Sequence, residues 1–328
     1  MNTETPLVSV HMITYNHEKF ISQAIEGVLN QKCDFNIQLV IGEDCSTDQT
    51  RRICDEYAAK HPGKIKLLPS LQNFGMIKNG LRTLEACTGN YIAHCEGDDY
   101  WIDPYKLQKQ VSFLEANPEY VLSHTELDIL FQSDGRVEER INRKNMLKNQ
   151  FSWTRSALLE NLLGNKVVVR TCTAVFRKTF VLEIHNKQSW INIAETLSMG
   201  DIPRWIEFSQ LGPFHYLDEV TAVYRVSQNS VSRPNHAMHR ADFAYKGALL
   251  RLYYAGIYPV SFSITRKLKR NAIIHELNYL SFQESRLYRN PNGFSIGVFY
   301  RIIYWLLSDK LTARLIRKVL RTRWLMDI

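Results

Sequence analysis

The order of two hydrophobic periodicities constrains this chain more than any other feature. Residues 8–13 form a β-branched run, after which Ile21, Ala24, Ile25, Val28 and Leu29 recur at helical spacing. Residues 37–41 give a second strand pattern, followed by Ser46 or Thr47 placed to cap a helix carrying Ile53 and Tyr57. A third strand is expected over residues 65–68. Asn73-Phe74-Gly75 then opens a helix bearing Ile77, Leu81 and Leu84 that stops at Gly89. Strand and helix in strict alternation predict a parallel sheet with helices on its faces. Asn16 reads as the N-cap of the first helix, which would leave free backbone N–H groups in the preceding loop.

Residues 91–104 read Tyr-Ile-Ala-His-Cys-Glu-Gly-Asp-Asp-Tyr-Trp-Ile-Asp-Pro. The apolar start is a buried strand, and Glu96-Gly97-Asp98-Asp99 breaks it abruptly where the strand leaves the sheet. In an open α/β sheet the carboxyl ends of the strands form the ligand crevice, and carboxylate oxygens suit hard cations such as Mg²⁺ or Mn²⁺. A solvated turn is the plainer reading of Gly-Asp-Asp alone. Asp103-Pro104 restarts a helix with Leu107, Val111 and Leu114 as its buried stripe. Beyond it, residues 121–131 and 167–176 read as strands, the latter with Thr171 and Thr173 inside it. Residues 152–163 and 201–211 read as helices, and 220–224 as a closing strand; residues 144–149 are polar.

The chain has 328 residues, enough for one large domain and an appendage. Its net charge of +8 is unevenly spread. Residues 1–239 carry 25 basic and 28 acidic side chains, whereas residues 240–328 carry 16 and 5. The six cysteines show no Cys-x-x-Cys spacing and are expected to be reduced thiols of a cytosolic protein. No signal peptide is expected, and the apolar stretch 294–307, broken by Arg301, is too short to span a bilayer.

Four motifs carry a resemblance. Val8-Ser9-Val10-His11-Met12-Ile13-Thr14-Tyr15-Asn16, Glu43-Asp44-Cys45-Ser46-Thr47-Asp48, Glu96-Gly97-Asp98-Asp99 and Met199-Gly200-Asp201 resemble, in order and spacing, the family-2 inverting glycosyltransferases of the GT-A fold. The resemblance covers residues 6–233. It implies a Rossmann-like, mostly parallel mixed sheet flanked by helices as the catalytic domain, residues 1–238, followed by a basic helical extension, residues 239–328.

Asp44 at a strand end can accept an imide N–H, which favours a uridine-type base; its plainer role is to favour the N-terminus of the next helix. By resemblance Thr14, Tyr15 and Asn16 line the nucleoside pocket, Asp98 faces the ribose, and Asp99 touches a divalent cation, Mn²⁺ or Mg²⁺. Glu96 departs from the usual Asp of the family. Asp201 matches the catalytic base, the alternative being a helix N-cap. Arg225 or Arg233 would bind phosphate oxygens from a closing loop, or else be solvated. Residues 164–176 and Trp205 lie where the family contacts its acceptor. His236 and His239, three residues apart, read as surface histidines before a metal pair.

In the last quarter, residues 245–254, 263–283 and 295–325 carry helical patterns interleaved with Arg266, Lys267, Lys269, Arg270 and further basic residues. Such faces suit peripheral contact with an anionic membrane, at the inner face of a cell membrane, or packing on the catalytic domain. No nucleic-acid motif accompanies the charge, so a nucleic-acid partner is not expected. The expected partners are a nucleotide-sugar donor, UDP-linked, and a glycan or lipid-linked acceptor of cell-surface polysaccharide synthesis. A sugar-1-phosphate nucleotidyltransferase would need a glycine-rich phosphate loop, and residues 11–19 contain no glycine. A catalytically inactive glycan- or nucleotide-binding module is the other rival, against which the joint presence of Asp44, Asp99 and Asp201 argues.

Overall fold

The structure is a computed structural model that describes residues 7–143, 154–185, 191, 194, 196, 199–227 and 236–287. The chain divides into two compact units, Met1–Ser227 and Gln228–Ile328.

The first unit contains β1 (Val8–Thr14), β2 (Ile37–Glu43), β3 (Ile65–Leu67), β4 (Tyr91–His94), β5 (Tyr100–Trp101), β6 (Leu122–Phe131), β7 (Val137–Glu138), β8 (Val175–Arg177) and β9 (Phe214–Val226). They form one sheet in the order β3-β2-β1-β4-β8-β6-β9-β5, with β7 paired on β6. The β3-β2-β1-β4 half is parallel, as strand–helix alternation demands. In the other half β8 runs antiparallel to both β4 and β6, β5 antiparallel to β9, and β6 parallel to β9. This is the Rossmann-like mixed sheet the sequence predicts.

Strand alternation sorts the core into two layers. Val8, Val10 and Met12 of β1, Leu39 and Ile41 of β2, and Tyr91 and Ala93 of β4 pack with α1 (Ile21–Leu29) and α4 (Lys106–Ala116). Val40 and Ile92, one step out of phase, pack on the opposite face. That face is covered by α3 (Met76–Glu85), α5 (Arg155–Leu163), α6 (Lys178–His185) and α7 (Asp201–Ser209). Each buried aliphatic side chain in these layers contributes about 1.5–3 kcal/mol. The remaining helix, α2 (Thr50–Lys60), covers the first face through Cys54. All six cysteines are free thiols, four of them buried.

Local expectations fail where a polar side chain has a long-range partner. Asn16 does not cap α1, whose N-cap residue Phe20 makes no side-chain cap bond. Neither Ser46 nor Thr47 caps α2, whose N-cap is Gln49. Residues 171–173 form a 3₁₀ turn instead of strand interior, and only Val175–Arg177 pairs in the sheet. The closing strand is far longer than residues 220–224, running Phe214–Val226. The segment 144–149 lies outside the described residues.

In the second unit α8 (Ala237–Ile257) and α9 (Phe262–Leu287) fold back on one another as a helical hairpin. Tyr245 stacks on Tyr279 with ring centroids 5.6 Å apart, and Leu250, Tyr254 and Leu268 are buried. Arg266, Lys267, Lys269 and Arg270 are exposed, as is Phe262 at the start of α9. Among the described residues no helix is long and apolar enough to cross a membrane. The predicted helix over residues 295–325 lies outside them.

Candidate active site

Because β2, β1 and β4 are parallel neighbours, their carboxyl ends open on one edge of the sheet, and the loops that follow build the site there. The loops after β1 and β2 are laced together. Asn16, in the left-handed region at φ 54°, donates its N–H to Ser46 Oγ at 3.0 Å and accepts at Oδ1 from Thr47 N–H at 2.8 Å. His17 N–H reaches Thr50 Oγ1, Glu18 N–H reaches Asp48, and Gln49 N–H reaches Glu18. Thr14 is buried at the end of β1 and its Oγ1 lies 3.2 Å from His17 Nδ1, while Tyr15 stands exposed at the rim. Asp44 is buried, its two oxygens accepting the N–H groups of Phe74 and Gly75 at 2.8 and 2.9 Å. Gly75 supplies the φ of +80° that this turn requires. A carboxylate oxygen has further lone pairs, so Asp44 retains acceptor capacity.

The chain leaves β4 pressed against β1. Gly97 donates its N–H to Ile13 O at 2.9 Å, and a Cβ on it would lie 2.5 Å from Thr14 Oγ1. Asp98 emerges beside it, a quarter exposed, with Oδ2 3.9 Å from His17 Nε2. Asp99 turns the other way. It is 1% exposed, and its Oδ1 accepts the backbone N–H of Arg225 on β9 at 2.9 Å. Asp98 is thus the more accessible of the two acids, and Asp99 ties the β4 exit to β9.

Arg225 is 3% exposed; Nη1 donates to the Asp98 carbonyl at 2.9 Å and Nη2 to Gln23 Oε1. Its guanidinium lies 4.3 Å from the Tyr100 ring centroid and 5.0 Å from that of Phe20. The side chain braces the acidic turn through Nη1 and Nη2. Arg233, the alternative, lies outside the described residues.

Asp201 is the first residue of α7, and the N-cap position belongs to Gly200, with no side-chain cap bond. Asp201 therefore does not cap, although a carboxylate in the first turn still favours the helix dipole. It acts electrostatically on Glu96, which burial pushes up to about 7 against the opposing Thr171 hydroxyl, with Asp98 and Asp201 adding to the rise. Glu96 Oε2 is enclosed without a hydrogen-bond partner. Burial likewise raises Asp99 well above the carboxylate range, reinforced by Asp98 and Glu96. Four acids are thus gathered, with the guanidinium groups of Arg204 and Arg225 near them. Among the described residues no three His, Cys, Asp or Glu side chains converge as a cation cage. Mg²⁺ and Mn²⁺ sites built on one or two carboxylates plus phosphate oxygens need no such cage, and hard oxygen donors with an unpartnered Oε2 fit that kind of ion.

Trp205 is 2% exposed and packs edge-on to Phe176, so it is a core residue rather than an acceptor contact. The His236 and His239 rings meet edge to face on the exposed start of α8. His17, Gln23, His94 and Arg204 were not singled out from sequence, although His17 directly follows the first motif.

The sequence pattern of glycosyl transferase family 2 matches residues 9–182, more than half of the chain. The chain belongs to that family. Among relatives, the putative glycosyltransferase EpsE of Bacillus subtilis is 28% identical over 243 residues, 73% of this chain and 78% of EpsE. An uncharacterized protein of Mycobacterium tuberculosis is 31% identical over 218 residues, 66% of this chain, and the chain spans 58% of that protein's length. Among solved structures, S. aureus TarS 1–349 in complex with UDP-GlcNAc aligns with a TM-score of 0.56 at 19% identity, over 84% of this chain and 73% of TarS 1–349. The mannosyltransferase PcManGT from Pyrobaculum calidifontis, in complex with GDP-Man and Mn²⁺, aligns at 0.52 and 14% identity, over 98% and 89%. These likenesses carry the GT-A fold for the family 2 member described here.

Proposed function

We propose that this chain is an inverting glycosyltransferase that moves one sugar from a UDP-linked donor to a hydroxyl of a glycan or lipid-linked acceptor in surface-polysaccharide synthesis. The observation that carries it is the gathering of Glu96, Asp98, Asp99 and Asp201 at the edge where β1 and β2 present Thr14 and Asp44. Thr14, Tyr15 and Asn16 bound the nucleoside, and Asp44 takes the imide N–H of the base. Glu96 and Asp98 take the roles of ribose contact and cation ligand, in place of Asp98 and Asp99. Arg225 and Asp99 hold that turn in position. Asp201 removes the proton of the attacking hydroxyl, and a single displacement inverts the anomeric carbon. Asp98 would hold a divalent cation, which would supply charge neutralisation for the departing diphosphate.

EpsE supports the reading as a transferase, TarS and PcManGT as a nucleotide-sugar enzyme, and Mn²⁺ in the latter as a cation user. The exposed Phe262 beside Arg266, Lys267, Lys269 and Arg270 supports peripheral contact with anionic lipid on the cytoplasmic side. The test is hydrolysis of UDP-glucose, UDP-galactose and UDP-N-acetylglucosamine by the full chain. Chelator should abolish it and Mn²⁺ restore it. Asp201→Asn should lower it by roughly 10²- to 10⁴-fold with UDP affinity and thermal midpoint unchanged. Asp98→Asn should weaken Mn²⁺-dependent UDP binding, whereas Asp99→Asn should mainly lower stability. Full activity in excess chelator would remove the cation, and full activity of Asp201→Asn would remove the base.

A further inference from the structure

Three polar side chains run through the apolar layer between the sheet and α7 without a place in the reaction above. His11 and His94 are directly paired across β1 and β4. Val10, Met12 and Ala93 beside them face α1 and α4, so strand alternation turns both imidazoles toward α3 and α7. Arg204 comes from the first turns of α7, three residues after Asp201 and on the same side of the helix. The three are 4%, 2% and 8% exposed.

Their contacts form a chain with one possible direction. Arg204 Nη1 lies 2.8 Å from His94 Nε2, His94 Nδ1 lies 2.9 Å from His11 Nδ1, and His11 Nε2 lies 2.9 Å from the Gly80 carbonyl. Guanidinium only donates and a carbonyl only accepts. His94 Nε2 must therefore be bare and its Nδ1 protonated, while His11 Nδ1 is bare and its Nε2 protonated. A proton added to either ring would set donor against donor. Burial holds both imidazoles neutral, lowering His11 to about 4 and His94 well below its ordinary range, with Arg204 opposing protonation of each.

A buried guanidinium costs several kcal/mol of desolvation, and an apolar side chain of similar size would pack here without that cost. Its charge is met by Asp201 and Glu96, the acids that favour its ionised form. We propose that Arg204 is a positioning residue for Asp201: held by His94 and His11 and anchored on the Gly80 carbonyl, its guanidinium offsets the charge of Glu96 beside Asp201 and fixes the Asp201 carboxylate. This rests on Asp201 as the base, so the experiment separates the two claims.

The first measurement needs no activity. In the full chain labelled with ¹⁵N-histidine, His94 should be the Nδ1–H tautomer and His11 the Nε2–H tautomer at neutral pH. The reverse pair, or an imidazolium at either ring, overturns the chain. The second is a double-mutant cycle on hydrolysis of the three UDP-sugars with Mn²⁺. Arg204→Met should lower turnover roughly 10- to 100-fold at unchanged donor KM, and less than about threefold in an Asp201→Asn background. Equal losses in both backgrounds would make Arg204 merely structural. A wild-type rate for Asp201→Asn alone would instead remove the base reading. Should Arg204→Met fail to fold, His94 supplies the variants. His94→Gln keeps an acceptor toward Arg204 and a donor toward His11 and should stay within about threefold of wild type. His94→Leu breaks the chain and should lose turnover as Arg204→Met does; equal rates for His94→Gln and His94→Leu overturn the proposal.

Discussion

In the parallel half of the sheet, Asp44 is held by Phe74 and Gly75, and Asn16 by Thr47, partners about thirty positions away. Where β4 borders the mixed half, Asp99 is held by Arg225 and His94 by Arg204, partners more than a hundred positions away. The first kind of support is built by neighbouring strand–helix units and can form as each unit docks. The second exists only when α7 and β9 have returned to the sheet. The donor wall thus depends on local turns, whereas the acidic centre depends on closure of the whole unit.

Arg225→Met breaks the long-range support most directly. It keeps the backbone bond to Asp99 but removes the guanidinium bonds to the Asp98 carbonyl and Gln23, so stability should fall by about 1.5–3 kcal/mol in urea unfolding. Lost UDP affinity with unchanged stability would instead return Arg225 to phosphate binding and erase the contrast. Gly97→Ala tests the junction of the halves. Its Cβ would meet Thr14 Oγ1, and overpacking of this kind costs about 1–3 kcal/mol, read as a lower thermal midpoint. An unchanged midpoint would mean that the β4 exit yields.

The smallest effect at neutral pH is expected for His124→Leu, deep in the mixed half. Neither ring nitrogen of His124 has a hydrogen-bond partner, and burial lowers it to about 3, with His215 and Lys106 adding to the fall. The unfolded ring takes its proton near the ordinary 6.5 and the folded ring does not. Between these values the unfolded state binds more protons, so this contribution to stability is lost as pH falls. His124→Leu should therefore match wild type at pH 7 and exceed it in thermal midpoint near pH 4. Parallel midpoint curves for the two would show that His124 does not contribute to acid sensitivity.

The same contrast explains what could be read from sequence. β1, β2 and β4 follow from short apolar runs bounded by turn residues, because both faces of these strands are buried. Asp44 and Asp98 are legible because each follows such a run. Arg225 is visible as a charge, but nothing local shows that its donors turn toward Asp98 and Gln23. His11 and His94 sit inside strands where an apolar residue would serve, and only the strand pairing brings them together. The different exposure of Asp98 and Asp99 likewise depends on which carboxylate reaches β9. Thr171 and Thr173 read as strand residues, yet a turn there frees the Thr173 carbonyl to accept from Lys106 and Gln110.

The lacing between the loops after β1 and β2 bears on the thermodynamics of donor binding. Six hydrogen bonds join Asn16, His17 and Glu18 to Ser46, Thr47, Asp48, Gln49 and Thr50. The conformational entropy of this wall is lost during folding, so a nucleotide settling against it incurs no further ordering penalty there. Base and ribose then meet a preorganised surface, and calorimetry of UDP binding should show a modest entropic cost for that part of the ligand.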